Sequence, residues 1–237
     1  MKSLIVGKCR ETLSAADVAF ILEATGNDAN ASVGLQALLC DEAERDHVLD
    51  DPALMHALLN QPGYLDISTQ LFFYLVVRHS LRESSIDDRD VADYVASMLT
   101  AFASADRMLR PLPHKDFATE WSVDLLSAIA DAREEDAFLL RTHLANYTLF
   151  MTGLFPERIA HRRERRAAPS VDYYESMGQM SFKDASQCRL AAEFELRRVF
   201  EILAEWFRNV RVALNNMSRQ ILFLAEGRGF SPLGDLA

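Results

Sequence analysis

Two stretches of this chain are apolar along most of their length yet interrupted by side chains capable of chemistry. In LFFYLVVRHSL, Leu71 to Leu81, the interruptions are Tyr74, Arg78 and His79. In a second helix, which the spacing places from about Glu134 to Thr152, they are Arg141, His143, Asn146 and Tyr147. Tyr74 and Arg78 lie four residues apart, as do His143 and Tyr147, so each pair shares one helical face. With both faces turned inward, Tyr74, Arg78, His79, His143 and Tyr147 would line a pocket. It would offer an acid–base imidazole, phenol donors and a guanidinium for an anionic ligand, as a helical small-molecule-binding protein or enzyme requires. The plainer reading makes them core or rim residues, each satisfied by a neighbour because buried polar groups must be.

A second constellation is the run ERIAHRRERR, in which Arg158, Arg162, Arg163, Arg165 and Arg166 are diluted only by Glu157 and Glu164. On a helix Arg158, Arg162, Arg165 and Arg166 fall on one face. A guanidinium is a planar fork that takes carboxylates or phosphates bidentately, so this segment reads as an anion-binding surface for an acidic protein or a phosphorylated ligand. The competing reading is a solvated helix whose arginines pair with the chain's own acidic segments. No helix-turn-helix pattern, zinc finger or aromatic sheet motif accompanies the arginines, which argues against a nucleic-acid partner.

Familiar catalytic signatures are missing: there is no G-x-x-x-x-G-K-[ST], H-E-x-x-H or G-x-S-x-G, and the GRG at Gly227 has no preceding strand. A di-iron carboxylate centre needs two Glu-x-x-His pairs on facing helices, and Glu44 with His47 is the one pair present. No metal set is complete and no cofactor is implied. Arg198 with Glu201, and Glu205 with Arg208, are i, i+3 neighbours of a structural kind.

The elements that must position these groups all read as helices. Between Leu196 and Leu224 apolar residues recur at 4-3 spacing: Leu196, Phe200, Leu203, Phe207, Val210, Leu214, Met217, Ile221 and Leu224. Their flanks, with Val199, Trp206 and Ala213 on one side, are too apolar for a two-stranded coiled coil and fit packing inside a bundle; pairing with a second copy through this seam is the alternative. A single helix from near Met180 to the end would be about 60 Å long, so a kink is expected, with Asn209 marking Arg208–Arg211 as its place.

Further elements follow from caps and breakers. Ser14 with Asp17 opens a first helix that Gly26 stops, Ala31 to Arg45 forms a second with Leu35, Leu38 and Leu39 inward, and Pro52 opens a third that Pro62-Gly63 closes. The Leu71–Leu81 run belongs to a central helix starting near Asp66 or Ser68. Asp87, with Asp90 three residues on, caps the next. Pro111 to His114 is the clearest break, followed by helices from about Thr119 to Ala132 and from Glu134 to a cap at Gly153. Pro156 opens the arginine helix and Ser170 the one carrying Tyr173, Met177 and Met180, whose i, i+4, i+7 spacing reads as core.

The fold expected is therefore all-α: one globular bundle of about nine or ten helices around a long C-terminal helix, spanning 1–226, with an irregular tail from 227 to 237. Of 237 residues, 49% are hydrophobic, enough for a large core, and no apolar run approaches the roughly 18 residues of a membrane span. Three cysteines with no C-x-x-C spacing suit a reduced, cytoplasmic protein. The net charge of −10 is unevenly spread, with 12 basic against 24 acidic residues over 1–155 and 12 against 9 over 156–220. Such a balance disfavours unspecific binding to nucleic acid or anionic membranes, and the opposite halves could attract one another on folding. The function expected is a soluble binding or regulatory protein acting through a helical surface, with the arginine segment as its anion-binding part.

Overall fold

Helix spacing carries through the whole chain. The computed structural model describes residues 4–26, 38–60, 66–104, 108, 122–166 and 169–228, with the backbone alone at 122–124, 165–166 and 222–228, and among these residues there is no strand. The protein is built from packed helices, none long and apolar enough among the described residues to cross a membrane. Two compact units can be distinguished, one centred on Gly7–Thr100 and one on Ala101–Arg219.

In the first unit α1 (Ala15–Ala24) starts as the caps require. The Ser14 hydroxyl accepts from the Asp17 N–H, and the Asp17 carboxylate accepts in return from the Ser14 N–H at 2.7 Å. Asp17 also takes the Ser68 N–H at 2.7 Å, tying the start of α1 to that of α4 (Thr69–Glu83). Between them lie α2 (Glu42–Leu49) and α3 (Pro52–Asn60). The expected helix over 31–45 is interrupted, because Asp41 leaves helical geometry to cap Glu44, and Leu38 is exposed rather than inward. The closing Pro62-Gly63 lies outside the described residues, as does Leu35.

The central helix α4 is buried along nearly every face, from Leu71 to Leu81, with His79 the main exception in its second half. It ends on Ser85 at φ 63°, whose left-handed turn lets the Ile86 N–H reach the Leu81 carbonyl at 2.8 Å. The next helix, α5 (Arg89–Phe102), is capped one residue later than expected. Asp88, not Asp87, accepts the Val91 N–H at 3.0 Å, which lets Asp87 meet Arg78.

The second unit contains α6 (Ser122–Asp131), α7 (Glu134–Leu154), α8 (Pro156–Arg166), α9 (Val171–Gln187), α10 (Arg189–Glu193) and α11 (Arg197–Glu205), with most of α12 (Phe207–Arg228). The break at Pro111–His114 and the end of the tail lie outside the described residues. A chain of rings, Phe138–Phe200–Phe182–Phe207, at centroid separations of 6.4, 5.5 and 6.2 Å, joins α7, α11, α9 and α12. The heptad residues from Leu196 through Met217 are all buried, so the apolar seam faces core.

Two expectations about these helices need correction. Gly153 does not cap α7 but sits within it, because a methyl there would fall 2.9 Å from Leu214 Cβ; the glycine permits close approach of α12. The C-terminal run is cut, but not at Arg208–Arg211. Its breaks lie at Cys188, at Glu195 and at Trp206, where the chain bends between α11 and α12. Glu195 has φ 58°, and the Leu196 N–H returns to the Ala191 carbonyl at 2.7 Å, the hydrogen-bond pattern of a helix end. Arg208 and Arg211 stay helical and both hold the buried carboxylate of Glu175, at 2.8 and 3.0 Å, clamping α12 to α9.

Candidate functional site

Helix α8 runs directly on from α7 at Phe155-Pro156, and packs against both α7 and α9. Its apolar contact is Ile159, which is buried, whereas Arg158, Arg162 and Arg163 are exposed. The side chains of Arg165 and Arg166 lie outside the described residues. The Arg158 guanidinium stands over the Phe155 ring at 5.8 Å, a cation–π arrangement that fixes its direction.

Two phenols lie within electrostatic reach of these arginines. Tyr147 on α7 is buried; burial and the neighbouring Tyr174 push its pKa up to about 12, against the opposing pull of Arg162 and Arg158. Tyr174 on α9 is half-buried, and burial again raises its pKa while Arg162 opposes. Both phenols thus stay protonated near neutral pH. Tyr173, exposed beside them, stacks edge-on to Tyr174 at 5.9 Å. Spacing alone assigns Tyr147 and the arginines to different sites; the fold places them in one neighbourhood.

Each of the other four residues of the expected pocket has neighbours of its own. His79 is partly exposed and its Nε2 lies 3.4 Å from Glu83. His143 is buried in the second unit with its ring 5.5 Å from Phe102, and burial lowers its pKa to about 4 although the Met108 backbone pulls it up. It is a neutral core histidine at physiological pH.

Tyr74 and Arg78 belong to the first unit, in a network the sequence did not announce. Arg10 spends all three nitrogens there: Nη1 on both oxygens of Asp46 at 2.9 and 2.8 Å, Nη2 on Asp90 at 2.7 Å and Nε on Asp93 at 3.3 Å. Arg78 grips Asp50 bidentately at 2.8 and 3.0 Å and reaches Asp87 at 2.5 Å. Arg89 joins the two halves, 2.7 Å from Asp50 and 3.9 Å from Asp46. Burial would raise Asp50, but hydrogen bonds from Arg78 and Arg89 outweigh it and hold the carboxyl below its ordinary range. For Asp93 the balance reverses: burial wins over Arg10, and the pKa rises. Asp93 also accepts the Cys9 N–H at 2.7 Å and the Arg10 N–H at 3.4 Å, strapping residues 8–10 along α5.

Tyr74 lies within reach of both guanidiniums, yet its Oη and Arg78 Nη1 have no hydrogen-bond partner among the described residues. Removing one member of such a buried pair typically costs about 3–5 kcal/mol, so this network is first of all structural. The signal available beforehand was spacing alone: Asp46 with Asp50, and Asp90 with Asp93, put paired carboxylates on single helical faces. Glu44 and His47 are exposed on α2, and no group of three metal-ligating side chains occurs among the described residues. Compared with protein-family models, with curated proteins and with solved structures, the chain matches none.

Proposed function

We propose that this chain is a binding protein that engages an acidic protein partner through the exposed arginine face of α8. The observation behind this reading is that exposed Arg162 stands within electrostatic reach of two protonated phenols, Tyr147 and the half-buried Tyr174, and exposed Arg158 within reach of the first, which puts charge and phenol in one patch. A carboxylate seated at Arg162 and Tyr174 would meet a planar fork and a phenol together, and charge-assisted bonds of this sort are about twice as strong as neutral ones. The acidic residues of the first unit supply further support, since Asp46, Asp50, Asp87, Asp90 and Asp93 are taken up by Arg10, Arg78 and Arg89 of that same unit. The internal-pocket reading has less behind it, with His79 turned to Glu83 and His143 packed on Phe102.

The test is a double charge reversal, Arg162→Glu with Arg163→Glu, assayed against a fluorescent poly-glutamate peptide. Wild type should bind it with an affinity that falls steeply with ionic strength, and the variant should lose that binding while melting within about a degree of wild type. A melting temperature that drops by several degrees and recovers in high salt would mean that these arginines tie down the chain's own carboxylates, and the proposal would fail. Equal displacement of the peptide by inorganic phosphate at the same charge concentration would point to a phosphorylated small ligand instead.

A further inference from the structure

Helix α9 leaves two large apolar side chains, Tyr173 and Met180, outside the core. Its inward face is Glu175, Gly178, Ser181, Phe182 and Ala185, all buried, while Tyr173 is 45% and Met180 65% exposed. The stripe Tyr173, Met177, Met180, expected to be core, is therefore largely surface. Packing is close there: a methyl on Gly178 would lie 2.5 Å from both Phe207 Cζ and Thr148 Oγ1, so at this position α9 has no room for a larger side chain. Met177 alone reaches inward, against the cluster of Leu125, Leu140 and Leu144, so the stripe has an apolar floor.

Helix α9, which carries this stripe, packs against α8, which carries the arginines. Tyr173 stacks on Tyr174, and Tyr174 lies in the field of Arg162. Tyr, Met and Arg are the residue types enriched at protein–protein interfaces, and Met is the side chain that adapts to a partner's shape. From residue 173 to 180 the stripe is about 10 Å long, which matches two turns of a partner helix. Resting on the proposed acidic-partner reading of α8, we infer that the two surfaces are one docking site. Its occupant is an amphipathic helix of another protein, with apolar residues at i, i+3 or i+4 and i+7 on Tyr173–Met180 and carboxylates at the end facing Arg158 and Arg162. Charge complementarity selects an acidic segment, and the Met-lined portion selects apolar side chains over a polynucleotide.

The experiment is selection of a displayed random-peptide library on the intact protein, followed by synthesis of the enriched consensus. The expected consensus joins an apolar i, i+3/i+4, i+7 stripe to Asp or Glu at one end. Its affinity should fall about tenfold or more with Met180→Asp and, separately, with Arg162→Glu, both exposed positions whose variants should keep the wild-type melting temperature. Acidic peptides without an apolar stripe, indifferent to Met180→Asp, would overturn the inference and leave the α8 reading standing. Apolar peptides indifferent to Arg162→Glu would overturn both, and so would a selection that enriches nothing. A single-stranded RNA competing as well as the peptide would make the partner a nucleic acid and overturn the helix assignment. A concentration-dependent dimer abolished by Met180→Asp would make the occupant a second copy of this chain, which overturns the assignment to another protein.

Discussion

Single side chains in this protein can be assigned by asking what each buried polar atom bonds to. Tyr74 is fully buried with no hydrogen-bond partner for its hydroxyl among the described residues, a situation that typically costs about 1–3 kcal/mol. Tyr74→Phe should therefore raise stability by about 1 kcal/mol in urea unfolding, and a loss of similar size would show that the hydroxyl is satisfied after all. His143 makes the opposite demand. Its pKa near 4 in the folded chain lies below the 6.5 of an unfolded one, so between these values the unfolded state binds more protons. Stability should accordingly fall as pH drops from about 6.5 to 4, by about 3 kcal/mol in all. His143→Leu should flatten that limb in unfolding midpoints measured at about pH 7 and 4.5; an unchanged slope would place the sensitivity in another group. Both residues are visible in the sequence as polar interruptions of apolar helices. Their roles are not, because the difference between a ligand group and a core group lies in neighbours such as Phe102 that spacing does not name.

At the level of elements, caps are readable from sequence and packing partners are not. Ser14, Ser68 and Ser170 each cap a helix as their positions imply. Left-handed turns are harder to foresee: those after α4 and α10 use Ser85 and Glu195, residues that give no advance signal. The glycines divide: Gly26, at φ 70°, follows the end of α1 as expected, whereas Gly153, expected as a cap, serves close approach, as does Gly178. Gly178→Ala is the sharpest test. On an open helix face the change would gain about 1 kcal/mol of helix propensity, but here the methyl meets the Phe207 ring and the Thr148 hydroxyl. Overpacking of this kind costs about 1–3 kcal/mol, so the variant should melt several degrees lower. Gly178→Ala melting at or above wild type would mean that α9 can shift outward at little cost. That would also loosen the argument for its outward Tyr–Met stripe.

For the whole molecule the all-helical class follows from periodicity alone, because 3–4 spacing is local and survives any tertiary arrangement. The charge asymmetry is legible too, yet its use is not. Opposite halves suggest mutual attraction, whereas the buried carboxylates of the acidic half draw their cations from Arg10, Arg78 and Arg89 beside them. Arg10 gives no signal of its role because its partners Asp46 and Asp93 lie 36 and 83 residues away. That distance imposes an order on events at the ribosome. At about 5–20 residues per second, roughly 4–17 s separate the synthesis of residue 10 from that of Asp93. Throughout that interval the backbone N–H groups of Cys9 and Arg10 lack the carboxylate that later holds them. Residues 9 and 10 therefore cannot take their place along α5 until Asp93 has been made, and before Asp90 is made Asp46 is the one carboxylate of the three that Arg10 can meet.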